Sequence, residues 1–158
     1  MDSISLNFDI REEETLVTST LVVLPSETAA AADESPPFEL DGEELTLRSI
    51  ELDGTPLSEG ADYTLSDAGL SLLHPPAASA SFTLKTVVAI EPYKNTQLSG
   101  LYKSSGNHVT QCEAEGFRRI TFFQDRPDVM AKYDVRIEAE RARYPLLLSN
   151  GNEIDKGD

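Results

Sequence analysis

Alternation of apolar and polar side chains dominates the start of the chain. From Ile4 to Ile10 every second residue is apolar and the residues between are polar, which is typical of a strand with one buried face. The acidic run at 12–14 predicts a solvated turn, and residues 15–24 alternate again, with Val17, Leu21 and Val23 on one face. We therefore expect the chain to open with two antiparallel strands.

Further alternating segments continue this pattern to residue 90. The acid-, alanine- and proline-rich stretch 25–37 has neither strand nor helix periodicity and predicts a surface loop. Asp53-Gly54 is a strong hairpin signal after the strand at 45–52. Short strands are predicted at 63–65 and 70–72, and a longer, alternating strand is predicted at 81–90.

Beyond Pro92 the pattern changes. Asp125 followed by Pro127 has the N-cap and early proline of a helix start, so one short helix is predicted near 125–132. An alternating strand is predicted at 133–139, and Asn150-Gly151 predicts a second hairpin whose returning strand has barely begun at residue 158. We expect a single β-domain over residues 1–158 that is truncated at its C-terminus.

Composition narrows the classes of function. The chain has 158 residues, which fits one domain, and a net charge of −15 with a pI of about 4.4. Nucleic acid and anionic membranes would be repelled by this charge, so neither is an expected partner. Residues 1–100 carry 4 basic and 18 acidic side chains, whereas residues 101–158 carry 9 and 10.

The chain has no stretch of about 20 apolar residues and no basic start followed by the apolar segment of a signal peptide. Its single cysteine excludes an internal disulfide framework. These features predict a cytoplasmic location.

No autonomous catalytic centre is evident. His74 and His108 lack the spacing of a zinc motif, so we expect both to be ordinary surface histidines and no metal to bind within the chain. Cys112 has no obvious base to form a thiolate and is expected to be a buried structural residue.

One segment has the residue types of a binding site. If the chain is extended here, Gln111, Glu113 and Glu115 share one face, while Cys112 and Ala114 face the other way. Such a strip of acceptors could hold an ammonium group through charge-assisted hydrogen bonds. It could equally be the solvated face of an ordinary strand, and the spacing alone favours that alternative.

Several motifs, taken in order, resemble one family. The likeness is strong from about residue 92 to 152 and looser but collinear before that. The motifs are LDGEEL at 40–45, NTQLSGLY at 95–102, TQCEAEGFR at 110–118, DRPD at 125–128 and YPLLLSNGN at 144–152. Together they resemble the N-terminal domain of aminopeptidase N, in the bacterial and plant alanyl aminopeptidase branch of the gluzincin zinc peptidases.

The resemblance implies a mainly β, antiparallel, saddle-like β-sandwich that packs against a separate catalytic domain. In that family the catalytic domain holds the zinc and the hydrolytic residues, so zinc is expected there and no cofactor is expected in this chain. The Gln-x-Glu pair carries over onto Gln111 and Glu113. The resemblance implies that Glu113 helps bind the free α-amine of a peptide and that Gln111 lines the pocket for its first side chain.

This interpretation makes the chain part of an enzyme that removes N-terminal residues from peptides, with peptide N-termini and the catalytic domain as partners. We then expect Phe117, Phe122 and Phe123 to form an apolar surface where the catalytic domain would lie. A stand-alone, non-catalytic β-module that binds peptides or a partner protein is the main alternative. A carbohydrate-binding module has less support, because the chain has no tryptophan.

Overall fold

The computed structural model describes residues 1–25 and 36–157. Alternating segments form strands because one side of each is buried and the other meets water, as in β2, where every second residue from the first is buried. The strands are β1 Ser3–Ile10, β2 Thr15–Val23, β3 Phe38–Asp41, β4 Thr46–Leu52, β5 Thr55–Pro56, β6 Tyr63–Ser66, β7 Gly69–Leu72, β8 Phe82–Ile90, β9 Gly100–Ser104, β10 Asn107–Gln111 and β11 Lys132–Ala139. A single-turn 3₁₀ helix lies at Phe117–Arg119. The mainly β fold is thus confirmed.

Three sheets make up the described part of the chain. The largest has the order β11-β1-β2-β8-β4-β5, the second has the order β3-β7-β6, and β9 pairs with β10 alone. The strand pairs are antiparallel except β1 and β11, which run parallel with Ile4 opposite Tyr133. Parallel neighbours need a long connection between them, and here β2 to β10 lie between β1 and β11 in the chain.

The core lies between the inner faces of the two larger sheets. Val17 of β2 and Leu84 of β8 come from one sheet and Leu70 of β7 from the other, and all three side chains are fully buried. Phe122 and Phe123 join the same cluster from the segment after the 3₁₀ helix. This burial of apolar surface is the main stabilising contribution to the fold.

Most strand predictions before residue 90 are confirmed. The hairpin at Asp53-Gly54 is confirmed as well, because both residues have the positive φ, 48° and 79°, that the tight turn between β4 and β5 requires. Two features were missed, namely strand β3 and the hairpin of β9 and β10. The loop predicted at 25–37 falls largely outside the described residues.

The helix predicted near 125–132 is wrong. Residues 126–128 form a bend and turn, with the Val129 N–H donating to the Arg126 carbonyl at 3.1 Å, and β11 has already begun at Lys132. Asp125 does not cap a helix, because its carboxylate instead accepts from the backbone N–H of Arg118. The second hairpin is also not formed, since no described residue from 140 to 157 lies in a strand.

The predicted apolar surface is wrong for two of its three residues. Phe122 and Phe123 are each 3% exposed, and Phe117 is half-buried with its ring edge-on to Phe123 at 5.1 Å. Exposed large apolar side chains lie elsewhere. Between residues 130 and 154 they are Met130, Tyr133, Val135, Leu146, Leu147, Leu148 and Ile154.

Candidate functional site

The predicted site residues lie in a tight turn. β10 ends at Gln111, and residues 113–116 form a turn before the 3₁₀ helix. The Gly116 N–H donates to the Cys112 carbonyl at 2.9 Å and closes this turn. The extended conformation that would place Gln111, Glu113 and Glu115 on one face is therefore wrong beyond Gln111.

Glycine at position 116 is required by a close approach. A Cβ there would lie 2.5 Å from the Gln111 carbonyl oxygen, 2.8 Å from the Ser99 hydroxyl and 2.9 Å from the Cys112 Cα. Any larger residue would push the turn away from these neighbours. The backbone geometry of the turn is thus fixed by packing around Gly116.

The two predicted site residues are next to each other and open to solvent. Gln111 and Glu113 are both exposed, and Gln111 Nε2 lies 3.4 Å from the Glu113 carbonyl oxygen. The Glu113–Ala114 peptide bond is cis. Acceptors on a turn with a fixed backbone can bind a cation with little ordering cost.

Cys112 lies between them and faces inward. It is half-buried, and burial together with the nearby charge of Asp125 raises the pKa of its thiol. A raised pKa keeps the thiol protonated and unreactive near neutral pH. This agrees with a structural cysteine rather than a nucleophile.

The two histidines lie in different environments. His74 is exposed, whereas the His108 ring packs edge-on against Tyr144 at 5.1 Å. Burial, and secondarily the charge of Lys103, lowers the pKa of His108. Over residues 1–25 and 36–157 no three His, Cys, Asp or Glu side chains are grouped as a metal site would require, so these residues do not fit a zinc ion.

Asn95 fixes a segment that contacts the turn. Its Nδ2 donates to the Ser99 carbonyl at 2.7 Å and to the Leu101 carbonyl at 2.9 Å, while its Oδ1 accepts from the Gln97 N–H at 3.1 Å. Ser99 is one of the residues that Gly116 approaches. The motif at 95–102 therefore contacts the motif at 110–118 and is itself held by the hydrogen bonds of Asn95.

Sequence reasoning missed the ionic contacts that follow the turn. Arg118 donates through Nε and its backbone N–H to Asp125 Oδ2, each at 3.1 Å. Asp125 in turn donates its N–H to Asp41 Oδ2 at 2.8 Å, and Glu43 pairs with Arg119 at 2.8 Å. The motifs at 40–45, 110–118 and 125–128 contain Asp41, Glu43, Arg118 and Asp125, and Arg119 directly follows one of them, but spacing gave no sign that these residues meet.

Among the residues that the structure describes, concavities also lie away from this turn. One, of about 410 Å³, is formed by the ends of β1 and β11 with Arg143 and Tyr144. Another, of about 340 Å³, lies along β3 and β7 beside Arg126. Neither of these two concavities is lined by Gln111 or Glu113. Within the described ranges, no helix has the length and apolar character to cross a bilayer.

Comparison with known proteins identifies relatives over nearly the whole chain. Residues 28–158 match the family model of the peptidase M1 N-terminal domain. Aminopeptidase N of Caulobacter vibrioides is 43% identical over 157 residues, covering 99% of this chain and 17% of that protein. Aminopeptidase N of Escherichia coli is 38% identical over 155 residues, covering 98% of this chain and again 17% of the relative.

Solved structures agree with the sequence relatives. Legionella pneumophila aminopeptidase A, in complex with aspartic acid, superposes with a TM-score of 0.86 at 32% identity, covering 98% of this chain and 17% of that one. An M1 zinc metallopeptidase from Deinococcus radiodurans has a TM-score of 0.66 at 16% identity, covering 86% and 31%, and so shares the fold alone. The chain thus spans about a sixth of the length of the curated relatives that it matches.

Proposed function

Because this chain belongs to the peptidase M1 N-terminal domain family, we propose that it acts as the N-terminal domain of a zinc-dependent aminopeptidase. Such an enzyme removes N-terminal residues from peptides in the cytoplasm. The domain packs on a catalytic domain and contributes to substrate binding, with no catalytic centre of its own. Its partners are peptide N-termini and that catalytic domain.

Glu113 anchors the substrate in this proposal. A free α-amine is largely protonated near neutral pH. A carboxylate binds an ammonium through charge-assisted hydrogen bonds, and it would do so more strongly once a catalytic domain shields it from water. Gln111, on the same turn, lines the pocket for the first side chain. The observation that carries the proposal is an exposed carboxylate on a turn whose backbone is held by Gly116 and its neighbours.

Zinc supplies Lewis-acid activation of the scissile carbonyl and of water when it is bound in the catalytic domain. Residues 1–25 and 36–157 present no group of side chains that would hold it. Their part is to bind the amine and to set its distance from the reacting bond, since fixing one end of the peptide selects which bond is cleaved. Glu113 is exposed in this chain, and in this proposal the catalytic domain provides the walls of its pocket.

Substitution of Glu113 in the full-length aminopeptidase tests this role. Glu113→Ala and the isosteric Glu113→Gln should each lower kcat/KM for peptides about 10- to 100-fold, because a hydrogen bond to a charged group contributes about 1.5–3 kcal/mol. Glu59→Gln is the matched control, since Glu59 is an exposed carboxylate far from the turn in sequence. An unchanged kcat/KM in both Glu113 variants would refute the proposal.

A further inference from the structure

Arg118 and Asp125, which both follow the turn in the sequence, form an ion pair that is reinforced by several hydrogen bonds. A single oxygen of Asp125, Oδ2, accepts from both the backbone N–H and the Nε of Arg118 at 3.1 Å. The Asp125 carbonyl also accepts from Arg118 Nη2 at 3.0 Å. Three hydrogen bonds thus join two residues, and together they fix both the side chain and the backbone of Arg118.

Burial makes this pair stronger than an ordinary surface pair. The side chains of Arg118 and Asp125 are 16% and 11% exposed, so water screens them little. A second Arg–Asp pair in the same bend, Arg126 with Asp128 at 3.2 Å, is 64% and 70% exposed. Exposed pairs of that kind contribute little, which makes the second pair a natural control for the first.

The contacts of Arg118 lead directly to the turn that carries Glu113. The 3₁₀ helix containing Arg118 begins next to Gly116, and the Arg119 N–H donates to the Gly116 carbonyl at 3.1 Å. On its other side the helix is tied to the chain after β3, because the Glu43 N–H donates to the Arg118 carbonyl at 3.0 Å. Asp125 is itself held by Asp41 at 2.8 Å.

The positive charge of Arg118 also attracts several carboxylates near the turn. Its guanidinium also lies 4.0 Å from Asp41, 3.9 Å from Glu43 and 3.6 Å from Glu115. Without this cation, several carboxylates would face each other close to the turn, and the repulsion would favour moving the turn outward. Both its hydrogen bonds and its charge therefore favour the observed position.

We propose that Arg118 and Asp125 are positioning residues, which act through the turn at 113–116 to hold the Glu113 carboxylate where a substrate amine can reach it. This inference rests on the proposed function of Glu113. It adds that the buried pair, rather than the turn alone, sets the strength of amine binding. Neither residue touches the substrate.

A double-mutant cycle in the full-length aminopeptidase tests the inference. Asp125→Asn should lower kcat/KM for peptides about tenfold, mainly by raising KM, since the turn loses a charge-assisted anchor. In a Glu113→Ala background the same substitution should cause less than about a twofold further loss, because residues that act as one unit are not additive. Asp128→Asn is the control and should change neither parameter.

Each outcome bears on a definite claim. The inference is supported if each single variant lowers kcat/KM and the double variant loses less than the two effects combined. It is overturned if Asp125→Asn causes its full loss of kcat/KM in the Glu113→Ala background as well. An unaltered kcat/KM in Asp125→Asn overturns it as well. If Glu113→Ala leaves kcat/KM unchanged, the result refutes the proposed function on which this inference rests.

A variant that fails to fold is covered by a second measurement. Arg118→Lys keeps the charge but loses the planar fork that reaches both the Oδ2 and the backbone carbonyl oxygen of Asp125, and it should raise KM less than Asp125→Asn does. In the chain of residues 1–158, hydrogen exchange at the Gly116 N–H should accelerate in Arg118→Lys while amides of β2 and β8 keep their protection. Unchanged exchange at Gly116 would contradict the positioning role.

Discussion

A Cβ at position 116 would meet three neighbouring atoms, two of which cannot easily move. Two of the atoms that a Cβ would meet, at 2.5 and 2.9 Å, belong to the backbone of Gln111 and Cys112. Gly116→Ala should therefore lower the free energy of unfolding by about 1–3 kcal/mol, as overpacked sites do. Denaturant unfolding measures this change, with Gly157→Ala as the control, since nothing lies within 4 Å of its Cβ position. Equal stabilities of the two variants would show that the turn yields freely.

His108 makes stability depend on pH. Burial, with a smaller effect of Lys103, lowers its pKa in the folded chain, so between that pKa and about 6.5 the unfolded state binds more protons. Stability should then rise with pH through this window and level off above it. His108→Gln should weaken the loss of stability between pH 7.5 and 5.5, measured by urea unfolding. An unchanged pH dependence in His108→Gln would contradict this explanation.

Among the elements, the long strands could be predicted because one physical cause determines them. In β2 and β8 alternate side chains are buried, so apolar residues recur at every second position in the sequence. β9 and β10 lack that signal, because β10 buries none of its five residues fully. Their pairing depends on the turn at 105–106, where both residues have positive φ, rather than on apolar alternation.

The helix predicted at 125–132 failed for a reason that the local sequence does not contain. Asp125 has the side chain of an N-cap, but its carboxylate is taken by Arg118, seven residues earlier. A tertiary contact has outcompeted the local one. The candidate site could be predicted only in part. The motif identified Gln111 and Glu113, whereas the turn that displays them follows from the packing of Gly116.

Burial in the central strand gives a prediction at this scale. Leu84 of β8 is fully buried, so Leu84→Ala should lower the free energy of unfolding by about 2–5 kcal/mol through lost contacts and the cavity left behind. Leu148→Ala, at a side chain that is 78% exposed, is the control and should change stability by less than about 0.5 kcal/mol. Thermal unfolding of both variants makes the comparison. A similar loss in each would mean that the core is placed wrongly.

For the whole molecule, the division of labour between domains predicts where a metal matters. Residues 1–25 and 36–157 contain no grouped metal ligands, so a chelator should leave the melting temperature of the chain 1–158 unchanged. The same chelator should abolish peptide hydrolysis by the full-length aminopeptidase, because its zinc is expected outside this chain. A chelator-induced fall in the melting temperature of the chain alone would contradict this division.

The central claim is that Glu113 receives the substrate's α-amine, and one structure tests it most directly. It is a crystal structure of the full-length aminopeptidase with a bound amino acid or peptide. The account predicts the amine nitrogen at about 2.7–3.0 Å from a Glu113 carboxylate oxygen. An amine held entirely by other residues, with Glu113 out of contact, would contradict it.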